Sequence, residues 1–183
     1  MLALAVLTAA AAGTWAATRG GPAHPARAGR APAAAAAVPG GSFTRLDGTE
    51  VSLAALRGEP AVVWFVAGGC ASCAVSIPAV GAHLAAFRAA RTRVLVLGMY
   101  GAFGPGAAGA AQLAGFGKTA AGRAFTSPAW TWGLASEQLT AAFDPSGTPD
   151  AYYLIDAAGH VIYRNSVPVS TLSALLGHLP AAR

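Results

Sequence analysis

The stretch "AVVWFVAGGCASC", residues 61–73, joins a buried-strand pattern to both cysteines of the chain. Its first six residues are apolar without interruption, which is typical of a strand buried on both faces. Cys70 and Cys73 follow after a short Ala-Gly-Gly connection. Beyond them, apolar residues recur at the spacing of one helix face: Ile77, Val80, Leu84 and Phe87. The pattern predicts a strand that runs into a helix, with the cysteine pair at the junction.

This position favours redox chemistry at the cysteine pair. The first turn of a helix presents unpaired backbone N–H groups and the positive end of the helix dipole, and both stabilise a thiolate. Cys70 lies at the junction and is the expected nucleophile, whereas Cys73 lies one turn inside and is the expected partner that resolves a mixed disulfide. Two alternatives remain open: a metal site and a purely structural disulfide.

Both alternatives have weaker support in the sequence. A zinc site needs further Cys or His ligands at suitable spacing, and the four histidines are scattered: His24, His83, His160 and His178. A disulfide across two intervening residues closes too short a loop to constrain the unfolded chain strongly. We therefore expect a redox-active pair, no bound metal and no cofactor.

Other segments complete an α/β pattern. Residues 94–99 form a second apolar run of strand length, which predicts a strand–helix–strand unit with the first. Upstream, Asp47-Gly48 is a two-residue hairpin signal between alternating apolar and polar residues. Ser52 is placed to cap a short helical turn that Gly58 ends.

The C-terminal part adds a second hairpin and a closing helix. "AYYLI" and "VIYR" flank the turn sequence "DAAG", residues 156–159, with Tyr152 and Tyr153 expected on opposite faces of their strand. An amphipathic helix follows, marked by Leu172, Leu175, Leu176 and Leu179. The order of elements is therefore βαβ first and ββα last.

With these elements in place, the chain resembles the thioredoxin-like superfamily, most closely its exported or membrane-tethered thiol-disulfide reductases of the TlpA type. The resemblance rests on the hairpin leading into "SLAALRGEPAVVWF", on Cys70 and Cys73, on Pro78, on "GTPDAYYLID" and on Gly159. It spans about residues 42–179. It implies a central mixed β-sheet flanked by helices, with an N-terminal β-hairpin and an insertion before a cis-proline region.

The resemblance also implies a set of site residues. Cys70 and Cys73 are the catalytic pair. The Thr148–Pro149 bond is expected to be cis and to lie against this pair, where the backbone of Thr148 would hydrogen-bond a substrate chain. Gly69 joins Thr148 and Pro149 as a substrate-binding residue.

Three departures from the family pattern affect the chemistry. Gly69 stands where members often have tryptophan, and Trp64 stands where they often have a buried polar or acidic residue. An acid at that position would help to move the proton of the resolving thiol. Proton transfer to Cys73 would then need water or another group. The dipeptide Ala71-Ser72 matches none of the dipeptides common in the reductive, oxidising or isomerase members, so the direction of electron flow stays open.

The segment between the site motifs is longer than in a minimal thioredoxin. Seventy-five residues (149 − 73 − 1) separate Cys73 from Pro149, and residues 100–136 account for the excess. We expect this segment to be an insertion beside the active site. Its Trp130 and Trp132 alternate, which we interpret as one buried and one half-exposed ring.

The N-terminal sequence divides the chain into three parts. Residues 1–18 are apolar and uncharged, as in a signal peptide or membrane anchor. Residues 19–41 are rich in Ala, Pro and Gly and are read as a linker, leaving 42–183 as the thioredoxin-like domain. Outside three arginines in the linker, nine basic residues (12 − 3) nearly balance seven acidic ones, which argues against nucleic-acid binding.

These observations lead to one main functional hypothesis. The chain is expected to be an extracytoplasmic thiol-disulfide oxidoreductase, membrane-anchored or secreted, that reduces disulfides in partner proteins and is itself restored by a membrane-borne thiol reductant. The alternative is a non-catalytic module that uses the same scaffold and its two thiolates to hold a partner protein or a soft metal ion.

Overall fold

The computed structural model describes residues 36–37, 40–144 and 146–181. All of these belong to one compact unit that spans residues 32–183. The expected signal peptide or anchor, residues 1–18, lies outside the described residues, as does most of the expected linker. Within the described part, no helix combines the length and the apolar character that crossing a membrane requires.

An eight-stranded mixed sheet forms the centre of the molecule. Along the sheet the strands run in the order β1-β8-β7-β4-β5-β6-β2-β3. Their bounds are β1 Ala36–Ala37, β2 Ser42–Arg45, β3 Glu50–Ser52, β4 Ala61–Val66, β5 Arg93–Gly98, β6 Trp130–Ala135, β7 Ala151–Ile155 and β8 His160–Ser166. The three central strands β4, β5 and β6 are parallel, and all other pairings are antiparallel. Because all six residues of β4 are buried, the continuous apolar run is explained by cover on both faces.

Helices cover the sheet, including the two regions where the sequence predicts an amphipathic helix. They are α1 Ala71–Gly81, α2 Leu84–Ala89, α3 Gly106–Ala121, α4 Glu137–Phe143 and α5 Pro168–Gly177, with 3-10 turns at Leu53–Leu56 and Gly122–Thr126. The single helix expected after the cysteines is divided in two at Ala82 and His83. Gly81, a poor helix former, ends the first piece. The predicted apolar face is nevertheless confirmed, because Leu84 and Phe87 are buried.

The N-terminal hairpin is confirmed, although its turn differs from the expected two-residue type. Arg45 donates its N–H to Thr49 across 2.8 Å, and Gly48 donates to Arg45 across 3.0 Å. Three residues therefore form the turn, and Gly48 adopts the left-handed conformation with φ 87° that this longer turn requires. Ser52 caps the following 3-10 turn by accepting from the N–H of Ala54, as predicted.

The segment 100–136 is more than an addition beside the active site. It contains α3 and also β6, which pairs with β5 in parallel and with β2 in antiparallel register. The interpretation of its tryptophans was wrong: Trp130 and Trp132 are both buried, at 5% and 6% exposure. Residues at alternate positions of a strand share one face, so both rings enter the same core and meet edge to face at 5.2 Å.

Two apolar cores lie on opposite faces of the sheet. Alternate residues of β4 separate between them: Trp64 packs with the residues of α1 and α5, and Phe65 packs with those of α4. Tyr152 and Tyr153 divide in the same way, which confirms the expected orientation of the two rings. The cysteine pair belongs to the first core, at the end of β4.

Candidate redox site

Cys70 and Cys73 form a disulfide at the end of β4, with their Cα atoms 5.3 Å apart. Cys73 is completely buried, whereas Cys70 is only partly buried. This difference agrees with the order predicted from the sequence, because an attacking thiol needs access and a resolving thiol does not. Gly69 adopts φ 74° in the turn that leads from the strand to the helix.

The sulfur of Cys70 lies at the N-terminus of α1. Cys70 is the N-cap residue, and its Sγ accepts the backbone N–H of Cys73 at 3.1 Å. The hydroxyl of Ser72 lies 3.3 Å from the same sulfur. Since the first turn of α1 holds no acidic residue, the positive end of the helix is available to a thiolate on Cys70.

A third ionisable side chain, Asp150, reaches the cysteine pair from the start of β7. One carboxylate oxygen of Asp150 and the two sulfurs all lie within 4.8 Å of one another. The side chain is fully buried. Asp150 has φ 72°, and its backbone N–H donates to the carbonyl of Phe65 across 2.8 Å, which fixes it beside the end of β4.

Both carboxylate oxygens of Asp150 accept hydrogen bonds. Oδ1 accepts the indole N–H of Trp64 at 2.9 Å, and Oδ2 accepts the hydroxyl of Ser76 at 3.2 Å. Ser76 in turn accepts the backbone N–H of Val169 at 3.1 Å, so its own hydrogen is directed to the carboxylate. The contacts join β4, α1, β7 and the start of α5 around one buried acid.

Burial raises the pKa of Asp150 above the usual value for an aspartate. Hydrogen bonds from Ser72, Trp64 and Ser76 act in the opposite direction, because they stabilise the carboxylate. Burial is the larger effect. A buried acid with a raised pKa beside two sulfurs is a candidate for proton exchange with a thiol.

The predicted substrate-binding residues are sequence neighbours of Cys70 and Asp150. Pro149 directly precedes Asp150 in sequence and is half-buried, and Thr148 is exposed. Gly69 is exposed next to Cys70. The expectation of a cis Thr148–Pro149 bond was wrong, because the bond is trans. The reversal of the chain is made one residue later, at Asp150, whose positive φ turns it into β7.

Asp150 is the site residue that the sequence reasoning missed. The family pattern directs attention to position 64, where this chain has tryptophan. A signal was nevertheless present: a tryptophan in the middle of a buried strand needs an acceptor for its indole N–H. Here that acceptor is an acid, brought in from another strand.

Within the described ranges, Cys70, Cys73 and Asp150 form the one group of three potential metal-ligand side chains. In the disulfide neither sulfur is a thiolate, the form that binds metals. Each oxygen of Asp150 accepts one hydrogen bond from a protein donor. In this form the arrangement fits a redox pair with a neighbouring acid.

No protein-family model matches the chain, and no curated protein matches its sequence. Solved structures do resemble it. The thioredoxin domain of a thiol-disulfide oxidoreductase from Bacteroides vulgatus aligns over 79% of this chain and 98% of its own, with a TM-score of 0.58 and 16% identity. The fold is thioredoxin-like.

Two further structures show how widely this fold is used. A secreted disulfide oxidoreductase from Mycobacterium tuberculosis aligns over 75% of this chain and 95% of its own, with a TM-score of 0.54 and 22% identity. Copper-bound ScoI from Bradyrhizobium japonicum aligns over 79% and 99%, with a TM-score of 0.55 and 16% identity. At such identities the likeness establishes the fold, and the argument for an activity rests on the site.

Proposed function

We propose that the protein is an extracytoplasmic thiol-disulfide oxidoreductase of the TlpA type that reduces disulfides in partner proteins. One observation carries the proposal: a partly exposed Cys70 at a helix N-terminus is joined to a fully buried Cys73. This asymmetry gives the pair an attacking sulfur and a protected resolving sulfur.

The reaction proceeds in two exchanges. The Cys70 thiolate attacks one sulfur of the substrate disulfide, forms a mixed disulfide and releases the other substrate sulfur as a thiolate that takes up a proton. The Cys73 thiolate then attacks Sγ of Cys70, which forms the Cys70–Cys73 disulfide and releases the second substrate sulfur. Two electrons and two protons pass from the protein dithiol to the substrate.

Substrate and reductant would meet the same exposed surface. Gly69, next to Cys70 in the sequence, and Thr148 and Pro149, just before Asp150, are proposed to hold the backbone of an incoming chain. Because turnover consumes the dithiol, a membrane-borne thiol reductant is proposed to restore it. The apolar segment 1–18 supports export, either as a cleaved signal or as an anchor.

Trapping of mixed disulfides tests the assigned roles. In Cys73→Ser the second exchange is removed, so partner proteins should accumulate on Cys70 as complexes that a reductant releases. Cys70→Ser is the matched control and should trap few, since its remaining thiol is buried. Equal trapping by the two variants would contradict the assignment.

The reduction potential of the pair tests the direction of electron flow. The purified full chain is equilibrated with glutathione buffers, and free thiols are mass-tagged. A potential near that of thioredoxin, about −270 mV, is expected for a reductase, and a value near −120 mV would make the protein an oxidant. Failure to exchange at any buffer ratio, together with metal retained through purification, would favour the binding-module alternative.

A further inference from the structure

The resolving step requires that the thiol of Cys73 lose its proton in a place that water does not reach freely. Cys73 is completely buried, and Trp64 stands six positions before the first cysteine, where the family pattern stated above often has a buried polar or acidic residue. A buried thiol without a nearby acceptor has a raised pKa and reacts slowly. Some other group has to accept the proton.

Asp150 occupies the required place. Its carboxylate lies within 4.8 Å of both sulfurs, a distance that a direct contact or one bridging water can span. Trp64, the residue that replaces the expected acid, donates to Oδ1 and holds the carboxylate in position. Ser76, on the same helix as Cys73, holds Oδ2.

Ser72 provides a second connection to the pair. Its hydroxyl lies 3.3 Å from Sγ of Cys70, and it also interacts with Asp150 closely enough to oppose the rise in the pKa of that carboxyl. The hydroxyl is therefore close to the attacking sulfur and affects the acid as well. This residue belongs to the Ala71-Ser72 dipeptide, which matches none of the common family dipeptides.

We propose that Asp150 is the proton acceptor for Cys73 during resolution of the mixed disulfide. This inference rests on the proposed function. The Cys73 thiol transfers its proton to the Asp150 carboxylate, the resulting thiolate attacks Sγ of Cys70, and the bond between Cys70 and the substrate sulfur breaks. The departing substrate thiolate takes a proton, and Asp150 returns its own proton to solvent before the next cycle.

The other groups around Asp150 are few and mostly neutral. Among the described residues, the titratable ones are the two cysteines and Tyr152 of β7. The Tyr152 hydroxyl shares a hydrogen bond of 2.8 Å with the hydroxyl of Thr171. Trp64 from β4 and Ser72 and Ser76 from α1 carry no charge, and the contact from α5 reaches Asp150 through Ser76. In the reduced protein, Asp150 and the thiols are therefore expected to titrate as a coupled group.

A stopped-flow experiment with dithiobis(nitrobenzoate), a small-molecule disulfide, tests the proposal on the reduced full chain. Each exchange releases one coloured thionitrobenzoate, so attack by Cys70 and resolution by Cys73 appear as two phases. In Asp150→Asn the second phase should slow by at least about 100-fold at pH values below the thiol pKa, whereas the first phase should not slow, because loss of a negative charge beside Cys70 does not disfavour its thiolate. Above the thiol pKa the two proteins should converge, since hydroxide then removes the proton.

Asp144→Asn is the matched control, because it removes a buried acid of the same loop that is not part of the cysteine cluster; its two phases should equal those of the wild type. An unchanged second phase in Asp150→Asn would overturn the proposal. Equal slowing at every pH would also overturn it, because that result would indicate a purely structural role. The probe requires no partner protein, so this experiment tests Asp150 independently of the proposed physiological function. That function is tested separately by the trapping of mixed disulfides.

Discussion

Two aspartates six residues apart show how differently one chain uses the same buried side chain. Asp144, at the end of α4, is 5% exposed, and Asp150, at the start of β7, is fully buried. Asp150 has donors on both oxygens and the cysteine sulfurs within 4.8 Å. Asp144 accepts one bond, from the exposed Ser146 at 2.7 Å, and its Oδ2 has no partner among the described residues. The two acids are similarly buried, and their neighbours are what separates them; the proposed role of Asp150 rests on those neighbours.

The largest loss of stability is expected from substitution of Trp64, which donates a hydrogen bond to Asp150. Trp64→Phe leaves Oδ1 of a buried carboxylate without its donor, which should cost about 1.5–3 kcal/mol of unfolding free energy beyond the loss of ring volume. Trp132→Phe is the matched control, since the buried indole N–H of Trp132 has no partner in the part of the chain that the structure describes, and no such hydrogen bond is lost. Urea unfolding of both variants measures the difference, and equal losses would show that the bond to Asp150 contributes nothing.

The next effect is the pH dependence that Asp150 gives to stability. Because its pKa is raised in the folded state, the folded protein holds this proton at pH values where the unfolded chain has released it. Stability should therefore fall as the pH rises from the ordinary aspartate pKa, about 4, through the folded value. The fall is at most about 1.4 kcal/mol per pH unit for one group.

Asp150→Asn should remove this slope and should be more stable than the wild type at high pH. Unfolding of the oxidised protein in urea between pH 4 and pH 8 measures the difference. Asp144→Asn serves as the comparison, and the slope should remain in that variant. A slope that survives in Asp150→Asn would assign the pH dependence to another group.

The smallest change in stability is expected at Asp144. Ser146→Ala removes the one hydrogen bond to Asp144, but because Ser146 is exposed, water can replace its hydroxyl. The unfolding free energy should change by no more than about 0.5 kcal/mol. Ser76→Ala removes a buried donor to Asp150 and should cost about 1 kcal/mol or more. Equal losses of unfolding free energy in the two variants would show that the hydrogen bonds to Asp144 and Asp150 contribute equally to stability.

Much of the fold could be predicted because its signals are local. The uninterrupted apolar run of β4, the helical face after Cys73 and the turn at Gly48 each depend on neighbouring residues, and each element is present. The cysteine pair could be placed for the same reason, since it lies between a recognisable strand and a recognisable helix.

The missed features depend on contacts across the sheet. Asp150 is 77 residues from Cys73 (150 − 73), and no periodicity links the two positions. The left-handed conformation of Asp150 is likewise not revealed by sequence spacing. The burial of both Trp130 and Trp132 follows from the place of β6 inside the sheet, with a partner strand on each side.

The short strand β1 has a consequence for handling the protein. Its two residues pair with Val161 and His160 along the outer side of β8 and so cover part of an edge of the sheet. An uncovered edge offers free N–H and C=O groups to a second molecule. A fragment that begins at Ser42, the start expected for the domain, would lose this cover and expose the backbone of β8 to intermolecular strand pairing. Beginning the fragment upstream of Ala36 would keep the edge covered and the monomer easier to concentrate.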